Sequence, residues 1–260
     1  MESILKKTDV VKADVLSAEP ERVSCSLPDP VLLELARTLE YSIVLREESP
    51  DFIGRIDRMT NSFGLKRLSD FVLAATALVV LSPVLSLTAA VIRLSSPGPA
   101  IFTQKRYGLD GRTFDILKFR TMYVEKADPS GVEQTRAADP RVTRLGRFLR
   151  RSNIDELPQL INVVLGDMSL VGPRPHVPNM RAGGVPYEEL VPHYFARQYV
   201  RPGLTGLAQL NGLRGSTENA RDALARIDHD LAYIERWSFG LDIKIILNTI
   251  RMEMLGGSGS

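Results

Sequence analysis

The strongest constraint on the fold is the run Phe71 to Ile92, FVLAATALVVLSPVLSLTAAVI, which carries no charge over 22 residues. As a helix it measures about 33 Å, close to the hydrocarbon thickness of a bilayer. A segment this apolar is expected in lipid, and it decides where everything else must lie. A spanning helix is the simplest reading, but two features oppose it. Ser82-Pro83 falls at the middle, where proline removes a backbone donor and bends a helix. The neighbouring hydroxyl can take up the carbonyl that proline leaves free. Both flanks are also basic, with Lys66 and Arg67 before the run and Arg93, Lys105 and Arg106 after it. Positive charge stays on the cytoplasmic side, which favours a segment that enters and leaves by one face. From the residues alone both readings stand: a spanning helix, or a re-entrant one broken at Ser82 and Pro83.

The chemistry concentrates between Asp139 and Pro175, DPRVTRLGRFLRRSNIDELPQLINVVLGDMSLVGPRP. Leu157, Leu160, Ile161, Val164 and Leu165 recur at helical spacing, Pro158 fits a first turn, and Gly166 ends the segment. Asp155 is thereby expected at or just before the helix start, with Glu156 beside it. Free N–H groups and the positive dipole end there would keep a carboxylate ionised and would welcome phosphate. Ordinary capping explains an acid at that position as well. The surroundings go beyond capping. Arg141, Arg144, Arg147, Arg150 and Arg151 come before the acids, and Arg174 follows in a Gly-Pro-Arg-Pro turn. Two acids facing several arginines suit a phosphate ester handled through a divalent cation.

This stretch closely resembles the signature of the bacterial sugar transferases that load a sugar phosphate onto a polyprenyl phosphate, the monotopic phosphoglycosyl transferases. SPGPAIFTQKRYG, FDILKFRTM and RPGLTGLAQLNG extend the resemblance from about Lys66 to Ile250. It implies a minimal catalytic form with a re-entrant membrane segment turning at Ser82 and Pro83. The implied reaction moves a sugar 1-phosphate from a UDP-sugar, UDP-galactose or UDP-glucose, to undecaprenyl phosphate and releases UMP. It initiates exopolysaccharide or a related glycan. Asp155 would attack phosphorus to give an aspartyl phosphosugar, Asp155 and Glu156 would hold Mg²⁺, and Lys118, Arg120, Arg174 and Arg201 would bind phosphate. The implied location is the cytoplasmic face of a bacterial inner membrane, in contact with its lipid, with homodimerisation a further expectation.

The rest of the chain fits that frame. Residues 1–62 are expected to be a flexible extension with one helix at Pro30 to Glu47, carrying Leu32, Leu33, Leu35, Ala36, Leu39 and Ile43 on one side. Residues 63–94 form the membrane segment, 95–254 the catalytic domain, and 255–260 (GGSGS follows Leu255) a flexible tail. The expected class is α+β, mainly helical: a re-entrant helix hairpin, a small cytoplasmic domain with a short β-hairpin, and amphipathic interface helices. The hairpin falls on Ala100 to Gln104 and Thr113 to Lys118, separated by Gly108, Asp110 and Gly111. Asp128 to Asp139 reads as a mobile loop, Arg201 to Gly206 as a tight turn, and Asp228 to Trp237 and Leu241 to Met252 as helices. A lone Cys25 excludes an internal disulfide, and no apolar leader opens the chain. His176, His193 and His229 lack metal-ligand spacing. The net charge of +2 says little about partners, but 31 acidic residues and the lack of a recognisable recognition module argue against nucleic acid. A lipid-diphosphate phosphatase and a non-catalytic membrane scaffold are the competing readings.

Overall fold

The computed structural model describes residues 63–126, 139–182, 185–191, 194–215 and 220–256. The N-terminal extension with its expected helix, most of the 128–139 loop, His193 and the tail from 257 lie outside the described residues. The apolar run forms helix α1, Phe63–Ser95, with Pro83 inside it. The expected break is not seen: one helix continues through the proline. The reason is local. Pro83 cannot donate to the carbonyl of Val79, and the Ser82 hydroxyl donates there instead at 2.8 Å. A single stripe therefore keeps its phase along the whole helix. Ala74, Ala77, Leu78 and Leu81 pack on Ile116, Leu160, Val163 and Met168. Leu85, Ala89 and Ile92 pack on Phe119 and Leu149. The opposite side exposes Val72, Val79, Val80, Val84, Leu87, Val91 and Leu94.

Both ends of α1 are fastened to the body. At the start, Lys66 Nζ lies 2.6 Å from Asp242 and donates to the Val171 carbonyl at 3.3 Å. Asp70 accepts from the Ser169 hydroxyl at 2.7 Å. Of this basic flank, read from the sequence as marking the cytoplasmic side, Lys66 is buried in an ion pair and Arg67 donates to the carbonyls of Val163 and Val164. At the far end, Arg120 donates to the carbonyls of Ile92, Ser96 and Pro97.

The hairpin appears as β1, Ile101–Tyr107, paired antiparallel with β2, Thr113–Phe119. Helix α2, Arg144–Arg151, is capped by Thr143, whose hydroxyl accepts from Gly146 N–H at 2.8 Å. Helix α3, Gln159–Leu165, ends at Gly166 in the left-handed region (φ 102°). Asn162 of α3 substitutes for a strand neighbour: its amide donates to the Asp115 carbonyl at 2.8 Å and accepts from Leu117 N–H at 2.9 Å. That bond pair fixes α3 against β2. A three-residue strand, β3, Ser169–Val171, follows; the pair β4, Arg181–Ala182, and β5, Val185–Pro186, and the short helix α4, Tyr187–Leu190, come next.

The segment expected as a simple turn contains β6, Gly203–Thr205, which pairs parallel with β3. Gly172 and Gly203 make that approach possible. A methyl group on Gly172 would sit 2.5 Å from the Arg201 carbonyl, and one on Gly203 would overlap Gly172 itself. Helices α5, Leu207–Leu210, α6, Ala220–Arg236, and α7, Phe239–Gly256, complete the body. Tyr187, Tyr194, Leu207, Ile227, Leu231, Ile234 and Ile245 form its main core. Each such buried side chain contributes about 1.5–3 kcal/mol.

Candidate active site

Asp155 and Glu156 lie in a single 3₁₀ turn, Ile154–Glu156, entered through Asn153 in the left-handed region (φ 53°). The acids fall just before α3, within the expected placement, while Pro158, expected in the first turn, is the cap of that helix. The turn is held from outside: the Asn153 amide donates to Glu253 of α7 at 2.7 Å.

The two acids have opposite surroundings. Glu156 is gripped by cations on both sides. Lys118 Nζ, at the end of β2, donates to Oε1 at 2.6 Å; Arg174 forks onto Oε1 at 2.6 Å and Oε2 at 3.1 Å. Burial alone would raise the pKa of Glu156, but the charges and hydrogen bonds of Arg174 and Lys118 hold it well below the usual carboxylate range. Asp155 is also buried, yet among the described residues its carboxylate accepts no hydrogen bond. Burial, and then the charge of Glu156, push its pKa up to about 6 against the pull of Lys118, Arg150 and Arg174. The expected dipole stabilisation is replaced by these three side-chain charges. One acid is locked and the other is open.

Lys118 and Arg174 thus join the acids. Arg120 and Arg201, expected beside them, are engaged elsewhere. Arg120 caps the C-terminal end of α1, and Arg201 donates from Nε to the Gly166 carbonyl at the end of α3 at 2.9 Å. Clustered carbonyls at a helix C-terminus attract cations as phosphate does. Of the arginine row, Arg150 acts on Asp155 and donates to the Thr121 hydroxyl at 2.9 Å, whereas Arg144, Arg147 and Arg151 are exposed.

Two further cations stand behind the Arg174 turn. Arg106, known only as a flanking charge, donates to the Pro175 carbonyl at 3.2 Å, and burial and then Arg174 lower its pKa to about 10. Arg197 is buried, ion-paired with Asp230 at 2.6 Å, and donates to the Arg174 carbonyl. The sequence signal for Arg106 was the family-like stretch QKRYG; Arg197 has no comparable cue. His176 is enclosed by Tyr187 and Tyr194 and kept neutral by burial and nearby arginines.

The turn Gly172 to Pro175 is held at successive carbonyls. Gly203 N–H donates to Pro173 at 2.9 Å, Arg197 to Arg174, Arg106 to Pro175, and Tyr107 N–H to His176 at 2.9 Å. Gly172 N–H reaches Thr205 at 2.9 Å. A small cavity lined by Tyr107, Arg174, His176 and Arg197 lies against this turn.

Among the described residues no group of three or more His, Cys, Asp or Glu side chains converges as a ready-made metal cage. The donor set nonetheless fits Mg²⁺, which binds through one or two carboxylates and completes its shell with phosphate oxygens and water. Asp155 offers open oxygens for that arrangement, with Glu156 adjacent.

A family model for bacterial sugar transferases matches residues 60–256. The exopolysaccharide production protein PSS of Rhizobium leguminosarum bv. phaseoli is 51% identical over 195 residues, which cover 75% of this chain and 98% of that protein. The undecaprenyl-phosphate glucose phosphotransferase of Komagataeibacter xylinus is 50% identical over 189 residues, covering 73% of this chain and 36% of that protein. The UDP-glucose:undecaprenyl-phosphate glucose-1-phosphate transferase of Caulobacter vibrioides is 51% identical over 185 residues, covering 71% and 68%. The chain thus matches nearly all of the first relative and about a third of the second. With its paired acids, the cationic grip on Glu156 and a match over most of its length, the chain belongs to the bacterial sugar transferase family and is a phosphoglycosyl transferase.

Proposed function

We propose that the protein transfers glucose 1-phosphate from UDP-glucose to undecaprenyl phosphate, releasing UMP, through a covalent aspartyl intermediate, and so starts exopolysaccharide assembly. The names of the relatives support glucose over the galactose alternative. The observation that carries the mechanism is the inequality of the two acids. Asp155 is open and Glu156 is held.

In this reading an Asp155 oxygen attacks the sugar-proximal phosphorus; the new O–P bond forms as the bond to UMP breaks, and UMP leaves with the electron pair. A phosphate oxygen of the polyprenyl acceptor then attacks the same phosphorus and displaces Asp155. Arg174 and Lys118 keep further N–H groups for the phosphate oxygens while their charges stay balanced by Glu156. Asp155 and Glu156 would hold Mg²⁺, which neutralises charge on the leaving phosphate when bound. Incubation with UDP-glucose and Mg²⁺ but no acceptor should release up to one equivalent of UMP and add a hexose phosphate to the protein. Asp155→Asn should abolish both signals. UMP that appears only with acceptor, and no trapped adduct, would make transfer direct.

The same proposal seats α1 in one leaflet of the inner membrane with the body on the cytoplasmic face. The fastening of both helix ends to one body supports this, because a spanning helix would have to carry one end away. The apolar outer stripe of α1, and exposed Phe239, Ile243, Leu247 and Ile250 on α7, supply the surface for lipid. Cysteines placed at Gly64 and Ser95 in a Cys25-free protein should both label from the cytoplasmic side only; one label on each side overturns the seating.

A further inference from the structure

We infer that Arg197, fixed by Asp230, is a positioning residue that aims Arg174 at the reacting phosphate. This rests on the reading of Arg174 as a phosphate ligand. Arg197 never approaches Glu156 directly. It is 4% exposed, it lies over the Tyr194 ring at 5.7 Å, and one nitrogen serves both Asp230 and the Arg174 carbonyl. Asp230 is 1% exposed on α6, between Ile227, Leu231 and Ile234 of the core. A continuous path therefore runs from the core helix, through a carboxylate and a guanidinium, to the backbone of the residue whose side chain grips Glu156.

The pair calls for an explanation because it is a poor stability device. Two charges leave water to form it, and apolar residues of similar size usually fill such a place as well or better. What apolar residues cannot supply is a donor for the Arg174 carbonyl. Gly203 N–H and Arg106 hold the carbonyls on either side of it, at Pro173 and Pro175, and Tyr107 N–H holds the one beyond, at His176. Arg174 alone relies on Arg197. With that donor gone, the peptide between Arg174 and Pro175 can rotate, and the long side chain amplifies the rotation at its tip. Misplacement by about 1 Å costs up to about a hundredfold in rate.

The test is a double-mutant cycle on the full chain in nanodiscs. UDP-glucose (or UDP-galactose, whichever the wild type turns over) and undecaprenyl phosphate are the substrates, and UMP release gives kcat and KM. Arg197→Met with Asp230→Leu removes the pair without leaving a lone buried charge. We expect kcat/KM to fall about tenfold or more, with little change in the melting temperature. In an Arg174→Ala background the same replacement should change the rate less than about twofold, because both act through one group. Equal losses in both backgrounds overturn the positioning role and leave Arg174 as a phosphate ligand. So does full activity of the pair replacement where Arg174→Ala alone is impaired. Full activity of Arg174→Ala overturns the phosphate reading and this inference with it. Should the paired replacement fail to fold, Arg197→Lys decides by the same criteria, since it keeps the charge opposite Asp230 but loses the planar fork.

Discussion

Asp155 and Glu156 are neighbours in the chain, yet a lysine and an arginine reach one of them and leave the other bare. In the proposed reading, holding Glu156 keeps Lys118 and Arg174 aimed before substrate arrives, which would lower reorganisation during the transfer. Because the grip of Arg174 is a planar fork, charge alone should not replace it: Arg174→Lys is expected to lose at least about tenfold in kcat/KM at unchanged fold. Steady-state kinetics with a melting curve checks this, and full activity would reassign the residue to the turn. These four side chains were legible in the sequence, because the family-like stretches mark them. Arg120 and Arg201 carry the same charge but serve helix ends. A string of letters shows a cation and not the oxygens it will meet. Arg197 was invisible for the converse reason: its partners lie 23 and 33 residues away and meet it only after α6 packs.

Among the elements, α3 and β2 act as a unit. The Asn162 amide bonds two backbone groups of β2, and Lys118 stands one residue beyond them. Asn162→Leu would strand two part-buried backbone groups, the Leu117 N–H and the Asp115 carbonyl, costing about 1 kcal/mol for each. It should also loosen Lys118 from Glu156, so activity should fall further than the melting shift explains. Activity that tracks the melting curve alone would confine Asn162 to stability. The hairpin and the long helices were readable from period and length. The pairing of β3 with β6 was not. Three-residue strands give no period, and Pro202-Gly203 reads as a turn; only the approach of Gly172 to Gly203 makes them strands. The continuity of α1 escaped for a related reason: a proline announces a break, whereas one hydroxyl at Val79 repairs it.

Across the whole molecule, the start of α1 is bound to α7 by one buried cluster. Lys66 meets Asp242, which also accepts from the Tyr233 hydroxyl at 2.7 Å and from the Trp237 indole at 3.1 Å. Lys66→Met leaves a buried carboxylate unpaired and should cost about 3–5 kcal/mol. Adding Asp242→Asn keeps an acceptor for Tyr233 and should recover most of the loss in a thermal unfolding experiment. An additive loss would show that the pairing carries no weight.

That cluster also orders events during synthesis. Lys66 and Asp242 are 176 residues apart. At about 5–20 residues per second, α1 leaves the ribosome roughly 10–35 seconds before its partner exists. During that interval α1 lacks its α7 anchor, and Lys66 has only Asp70, one turn on in the same helix at 3.9 Å, as a counter-charge. The start of α1 therefore acquires its lock last, and the two ends of the chain are joined only once α7 has been translated.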